Sequence, residues 1–175
     1  QEPKALVVNE KIAKSDTCYQ VFEKACNDIY VALEKTKKSL SPDSLSAAAA
    51  VLARAKKIVI IGLGNSASIA LDASHKLLRA GCEAFAYSDN HMQIIAASQT
   101  GVGDVLLAVS HSGSSRDIVE AAKLAHEKGA TTISITSKAK SPLAKTSDLV
   151  LVTDSDETKF SELALSSRIA QLAII

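Results

Sequence analysis

The chain is 175 residues long, the size of one domain with a substantial buried core. Its 20 Lys and Arg nearly cancel 19 Asp and Glu, so the net charge of +1 gives no electrostatic footprint for nucleic acid or an acidic membrane. Aromatic residues are 3% of the chain and Trp is absent, which suits aliphatic helices on a parallel sheet better than an aromatic-rich sandwich.

Residues 1–15 show little periodicity and read as a linker or arm. From Asp16 the pattern turns helical, with Phe22, Cys26, Ile29 and Leu33 on one apolar stripe. Cys18 and Cys26 fall on this helix, about 12 Å apart by helical rise, too far to bridge. Cys82 is left over, so reduced thiols and a cytoplasmic setting are expected. Ser41 caps a second helix that opens with Pro42 and buries Leu45, Ala48, Ala49 and Leu52.

A change of rhythm follows Lys56 and Lys57. Ile58–Ile61 is a short apolar strand ending in Gly62-Leu63-Gly64, and Ile69–Arg79 is helical with Gly81 just beyond its end. Glu83–Tyr87 is a second strand, and a helix capped by Asp89 or Asn90 runs to about Ser98. Gly101–Asp104 turns the chain into the third strand, Val105–Val109. A helix over 115–128 ends at Gly129, and Thr131–Thr136 is a β-branched fourth strand. A short helix led by Pro142 precedes the fifth strand, Leu149–Val152, and a last helix begins near Thr158. No apolar run reaches membrane-spanning length, and the N-terminus lacks the shape of a signal peptide. The start at Gln1 and the stop at Ile175 inside a helical pattern read as the ends of a piece of a longer protein.

Strands alternating with helices predict an α/β fold, a parallel sheet covered on both faces. Right-handed crossovers favour the flavodoxin-like order 2-1-3-4-5, which makes strands 1 and 3 neighbours at a topological switch point. Ligands of such sheets bind at the carboxyl ends of the strands beside that point. The loops there are Gly62–Ser68 and Ser110–Arg116.

The second loop, Ser110-His111-Ser112-Gly113-Ser114-Ser115-Arg116, carries four hydroxyls and a glycine between a strand and a helix. The N–H groups of a helix start lack intrahelical partners and favour an anion. Serines there either cap the helix or donate to phosphate oxygens. Two such loops converging on one switch point favour a phosphate cradle that needs no metal and no cofactor. The first loop departs from a dinucleotide fingerprint, with Ala67 in place of the third glycine, and no triphosphate-binding run occurs. The loop Ser137–Ser141 lacks glycine and reads as a turn with a solvated charge pair. His111 is either a general base or hydroxyl partner, or a half-covered loop histidine. His75 shares a helix face with Asp72 without a third metal ligand. His91 and His126 read as surface residues, and Arg116 as an exposed helix-start arginine.

Gly62-x-Gly64-x-Ser66 with Ser110-His111-Ser112-Gly113-x-Ser115 resembles the sugar isomerase (SIS) domain. Lys76-Leu77-Leu78-Arg79-x-Gly81, Ser88-Asp89-x-His91-x-Gln93, Gly129-Ala130-x-Thr132-Ile133-x-Ile135-Thr136-Ser137, Ser141-Pro142-Leu143-Ala144 and Ser167–Leu172 narrow the resemblance to the effector half of RpiR-type bacterial transcription regulators. It covers about residues 16–175. It implies a sensor of a phosphorylated sugar or sugar acid that pairs as a homodimer. The DNA-binding helix-turn-helix domain would precede this chain. By the family pattern Ser66, Ser110, Ser112 and Ser115 hold the phosphate, and Asn65 and His111 flank the sugar; His111 stands where other members have serine or glutamine. The alternative is a sugar-phosphate aldose–ketose isomerase, with His111 or Glu162 as base.

Overall fold

The structure is a computed structural model that describes residues 12–155 and 165–175. Two helices, α1 (Cys18–Ser39) and α2 (Pro42–Arg54), precede an alternating series. That series runs β1 (Ile58–Gly62), α3 (Asn65–Arg79), β2 (Ala84–Tyr87), α4 (Asn90–Ser98), β3 (Val105–Val109), α5 (Arg116–Glu127), β4 (Thr131–Thr136), α6 (Pro142–Thr146), β5 (Leu149–Val152) and α7 (Leu165–Ile174). The five strands form one all-parallel sheet in the order β2-β1-β3-β4-β5, the order expected from the sequence. The final helix expected from Thr158 is seen from Leu165; residues 156–164, Glu162 among them, lie outside the described residues.

The apolar runs are continuous in the centre of the sheet because both faces are covered. Every residue of β1 and β3 is buried, whereas edge strands β2 and β5 are partly exposed. Alternation along β1 feeds two cores. Ile58 and Ile60 pack with Ala48, Ile69, Ala70 and Ala73 from α2 and α3. Val59 and Ile61 pack with Ala96, Ala97, Ile118, Ala121, Ala122 and Leu143 from α4, α5 and α6. Each fully buried isoleucine contributes roughly 1.5–3 kcal/mol by removal from water. Alanines on the inner side of α5 let it lie close against the sheet, which brings its N-terminus to the edge of the switch point.

The apolar stripe of the first helix is only partly covered. Phe22 is 62% exposed and Cys26 is exposed, while Ala32 and Thr36 are buried. Helix α1 packs on α7. Close helix packing selects the small side chains, so the N-terminal part of the stripe, Phe22 and Cys26, is turned outward with Tyr19 and Tyr30, while Ile29 and Leu33 are half-buried. Its start is also sharper than the periodicity indicates: Thr17 and Gln20 form a reciprocal capping box. In α2 Ala48 is buried as expected, but Ala49 is exposed and Leu45 only partly covered.

Candidate functional site

The register of β1 with β3 pairs Gly62 with Val109, so the two loops leave the sheet from adjacent strand ends at the same height. Adjacent strands are about 4.8 Å apart. The topology therefore brings Asn65 and Ser66 to the same edge as Ser110, His111, Ser112 and Ser115.

Helix capping separates these two loops from the rest of the fold. Thr17, Ser41, Asp89 and Ser141 each accept a main-chain N–H with their side chains at the starts of α1, α2, α4 and α6. Helices α3 and α5 start without a side-chain cap. The residue before α3 is Gly64, which has no side chain to offer, and Ser115 before α5 leaves its hydroxyl off the main chain. Among the described residues no acceptor meets the N–H groups of Arg116, Asp117 and Ile118. A first turn whose N–H groups lack intrahelical partners can receive an anion, although the Asp117 carboxylate shares this turn.

Within the second loop the hydroxyls are aimed by main-chain donors. Ser110 is 6% exposed and its Oγ accepts from the Gly113 N–H at 3.2 Å. Ser112 Oγ accepts from the Ser114 N–H at 3.3 Å. Each hydroxyl used as an acceptor keeps its own proton for a ligand oxygen. Gly113 has φ +60°, and a Cβ there would lie 2.2 Å from Ser141 Oγ and 2.8 Å from Thr136 Oγ1. Only glycine fits this position. In the first loop Ser66 is buried and Asn65 is exposed, its carbonyl accepting from Ser68 Oγ at 2.8 Å.

The structure adds a clamp that the sequence reading assigns to a solvated turn. The His111 carbonyl accepts three hydrogen bonds, from Ser137 N–H at 2.9 Å, Ser137 Oγ at 2.9 Å and Thr136 Oγ1 at 3.1 Å. The end of β4 thus holds the middle of the serine loop, and α6 holds its far side through Leu143 N–H to the Gly113 carbonyl at 3.0 Å. Ser137 Oγ also lies 3.4 Å from His111 Nε2. A hydroxyl residue ending a strand and another immediately after it were the available signal; the absence of glycine obscured it. Arg116 is engaged with Glu120 at 2.7 Å on an exposed face, and Lys76 with Asp72 at 3.2 Å, so neither arginine nor the His75 face joins the site. The polar groups that the two loops bring to this edge are hydroxyls and main-chain N–H groups.

Residues 51–175 match the SIS domain family model. The chain belongs to the SIS domain family. An uncharacterised HTH-type transcriptional regulator of Caldanaerobacter subterraneus subsp. tengcongensis is 40% identical over 164 residues, covering 94% of this chain and 58% of the relative. The HTH-type transcriptional regulator HexR of Pseudomonas aeruginosa is 35% identical over 98% of this chain and 60% of its own length. This SIS chain therefore spans about 60% of the curated relatives it matches. Among solved structures, Vibrio vulnificus NanR complexed with ManNAc-6P superposes with a TM-score of 0.84 at 27% identity, over 92% of this chain and 60% of NanR. The sugar isomerase domain of an RpiR transcription factor from Sphaerobacter thermophilus shares the fold, with a TM-score of 0.76 at 24% identity over 89% of this chain and 90% of that chain.

Proposed function

We propose that this SIS domain is the effector-sensing part of a DNA-binding regulator of carbohydrate metabolism, and that its effector is a phosphorylated sugar or sugar acid. The observation that carries the reading is the pair of helices, α3 and α5, left without side-chain caps at one switch point while the other described helix starts with assigned caps carry one. The phosphate lies against the N–H groups of Arg116, Asp117 and Ile118 and takes protons from Ser110, Ser112 and Ser115, with Ser66 closing the other side. Asn65 and His111 flank the sugar. The names of HexR and of the other HTH-type relatives support the regulator reading, as does the phosphorylated sugar bound to NanR.

In this reading residues 16–175 are the effector domain and 1–15 an arm leading to a helix-turn-helix domain outside this chain, which alone contacts DNA. The protein works in the cytoplasm as a homodimer, and the effector shifts the geometry of the pair. The outward aromatic stripe of α1, with Tyr19 67%, Phe22 62% and Tyr30 51% exposed, supports a paired surface. Among the described residues no helix is long and apolar enough to cross a membrane. The domain senses without turnover: the site presents donors to a phosphate, and the loop is held rigid through the His111 main chain.

A thermal-shift panel of hexose 6-phosphates, amino-sugar phosphates and keto-deoxy sugar-acid phosphates, each paired with its unphosphorylated sugar, tests this. One phosphorylated member at a hundred times its dissociation constant stabilises the fold by about 2.7 kcal/mol, and its unphosphorylated partner does not. Equal shifts from both partners, or conversion of an aldose phosphate to a ketose phosphate on incubation, would overturn the reading.

A further inference from the structure

Gln93 lies on α4, outside both serine loops, yet it is fully buried. Its Nε2 donates to two main-chain carbonyls at once, Gly62 at 2.9 Å and Tyr87 at 2.8 Å. These are the last residues of β1 and β2, so one amide spans the carboxyl ends of two neighbouring strands. Both partners are acceptors, so the nitrogen must face them. The other end of the amide, Oε1, is buried with no hydrogen-bond partner. A side chain that only filled this space would do so better without an unpaired oxygen, so the amide is retained for its nitrogen.

The Gly62 carbonyl is a sensitive place to hold. Here β1 leaves the sheet and turns into α3, and a Cβ on Gly62 would lie 2.5 Å from the Ser66 carbonyl. The turn is closed by Ser66 N–H to Leu63 at 3.0 Å and Ala67 N–H to Gly64 at 3.1 Å. With no slack between Gly62 and Ser66, rotation of the Gly62 peptide carries Asn65 and Ser66 with it. The second loop is pinned by Thr136, Ser137 and α6; Gln93 pins the first from outside. We infer that Gln93 is a positioning residue for effector binding, holding the Gly62–Ser66 turn in register with the Ser110–Ser115 loop. The inference rests on the sugar-phosphate reading of the site and extends it to a residue that touches no ligand.

The test compares wild type with Gln93→Met, which keeps the length and loses both donors, and with Thr132→Val, a fully buried polar residue at the amino end of β4. Inorganic phosphate is titrated against the amide NMR spectrum of each, and amide hydrogen exchange is measured without ligand. Gln93→Met weakens phosphate binding at least tenfold and accelerates exchange at Ser66 and Ala67 more than at Val119 in α5. Thr132→Val lowers the melting temperature but keeps the dissociation constant within twofold. Wild-type affinity in Gln93→Met, or equal weakening in Thr132→Val, overturns the inference. If wild type binds no phosphate, the reading of the site fails instead, and unchanged exchange at Ser66 and Ala67 then overturns the role of Gln93 separately. Should Gln93→Met not fold, Gln93→Glu keeps the shape and regains one donor on protonation. Its affinity relative to wild type then rises as pH is lowered, and a ratio independent of pH overturns the inference.

Discussion

The two loops of the switch point solve the same problem in different ways. The Gly62–Ser66 turn is short, closed on itself by two main-chain hydrogen bonds and held from outside by Gln93. The Ser110–Ser115 loop is longer, anchored by β4 and α6, and carries four hydroxyls ahead of an uncapped helix start. The first loop limits shape; the second supplies donors. For the proposed phosphate site both matter, because neutral donors hold a phosphate only if they are fixed before it arrives.

The sharpest way to break this contrast is at Gly113. Gly113→Ala places a methyl group against Ser141 and Thr136 in a left-handed conformation. Equilibrium urea unfolding is expected to show a loss of about 2–4 kcal/mol, and effector stabilisation disappears with it. A loss below 0.5 kcal/mol would mean that the clamp on the second loop is soft.

A paired substitution separates capping from binding. Ser41 caps α2 and Ser115 does not cap α5. Ser41→Ala therefore costs about 1 kcal/mol of stability and leaves effector affinity unchanged. Ser115→Ala leaves stability nearly unchanged and weakens sugar-phosphate binding about tenfold, or about 1.4 kcal/mol. Calorimetric titration of both variants, with melting curves, decides it. Loss of stability in Ser115→Ala would restore the serine to ordinary capping.

A smaller effect marks the opposite end of the sheet, where no ligand is expected. Burial of the Asp148 carboxyl works to raise its pKa, but hydrogen bonds from the Thr132 N–H at 2.7 Å and hydroxyl at 2.8 Å, with His126 at 3.4 Å, outweigh it and hold the value below the usual carboxylate range. A carboxylate whose folded pKa is depressed stabilises above its unfolded pKa of about 3.9 and loses that contribution as pH falls through the folded value. Stability measured between pH 6 and 2 is expected to fall below about pH 4, and Asp148→Asn flattens that fall. Effector affinity at pH 7 stays the same in this variant.

The sequence made the sheet legible because continuous runs such as Ile58–Ile61 and Val105–Val109 have few other uses. Both serine loops were visible for a related reason: glycine and hydroxyls between a strand and a helix are unusual enough to notice. Four things stayed hidden. The packed side of α1 is chosen by small residues, whose signal is weaker than that of Phe22 or Tyr30. The clamp from Thr136 and Ser137 depends on a main-chain acceptor, His111, that periodicity cannot locate. Gln93 was visible only as one letter of a family pattern; its two carbonyl partners come from strands whose ends meet only in the folded sheet. Whether Ser115 caps or binds was also undecidable from sequence, since both uses call for the same residue at the same position.

An amide NMR titration of this chain with the phosphorylated sugar that gives the largest thermal shift tests the central claim most directly. The account predicts that Ser112, Ser115, Arg116, Asp117 and Ile118 move furthest, that Asn65 and Ser66 follow with the same dissociation constant, and that the capped starts of α2 and α4 stay still. Shifts centred away from these two loops, or of equal size at every helix start, would contradict it.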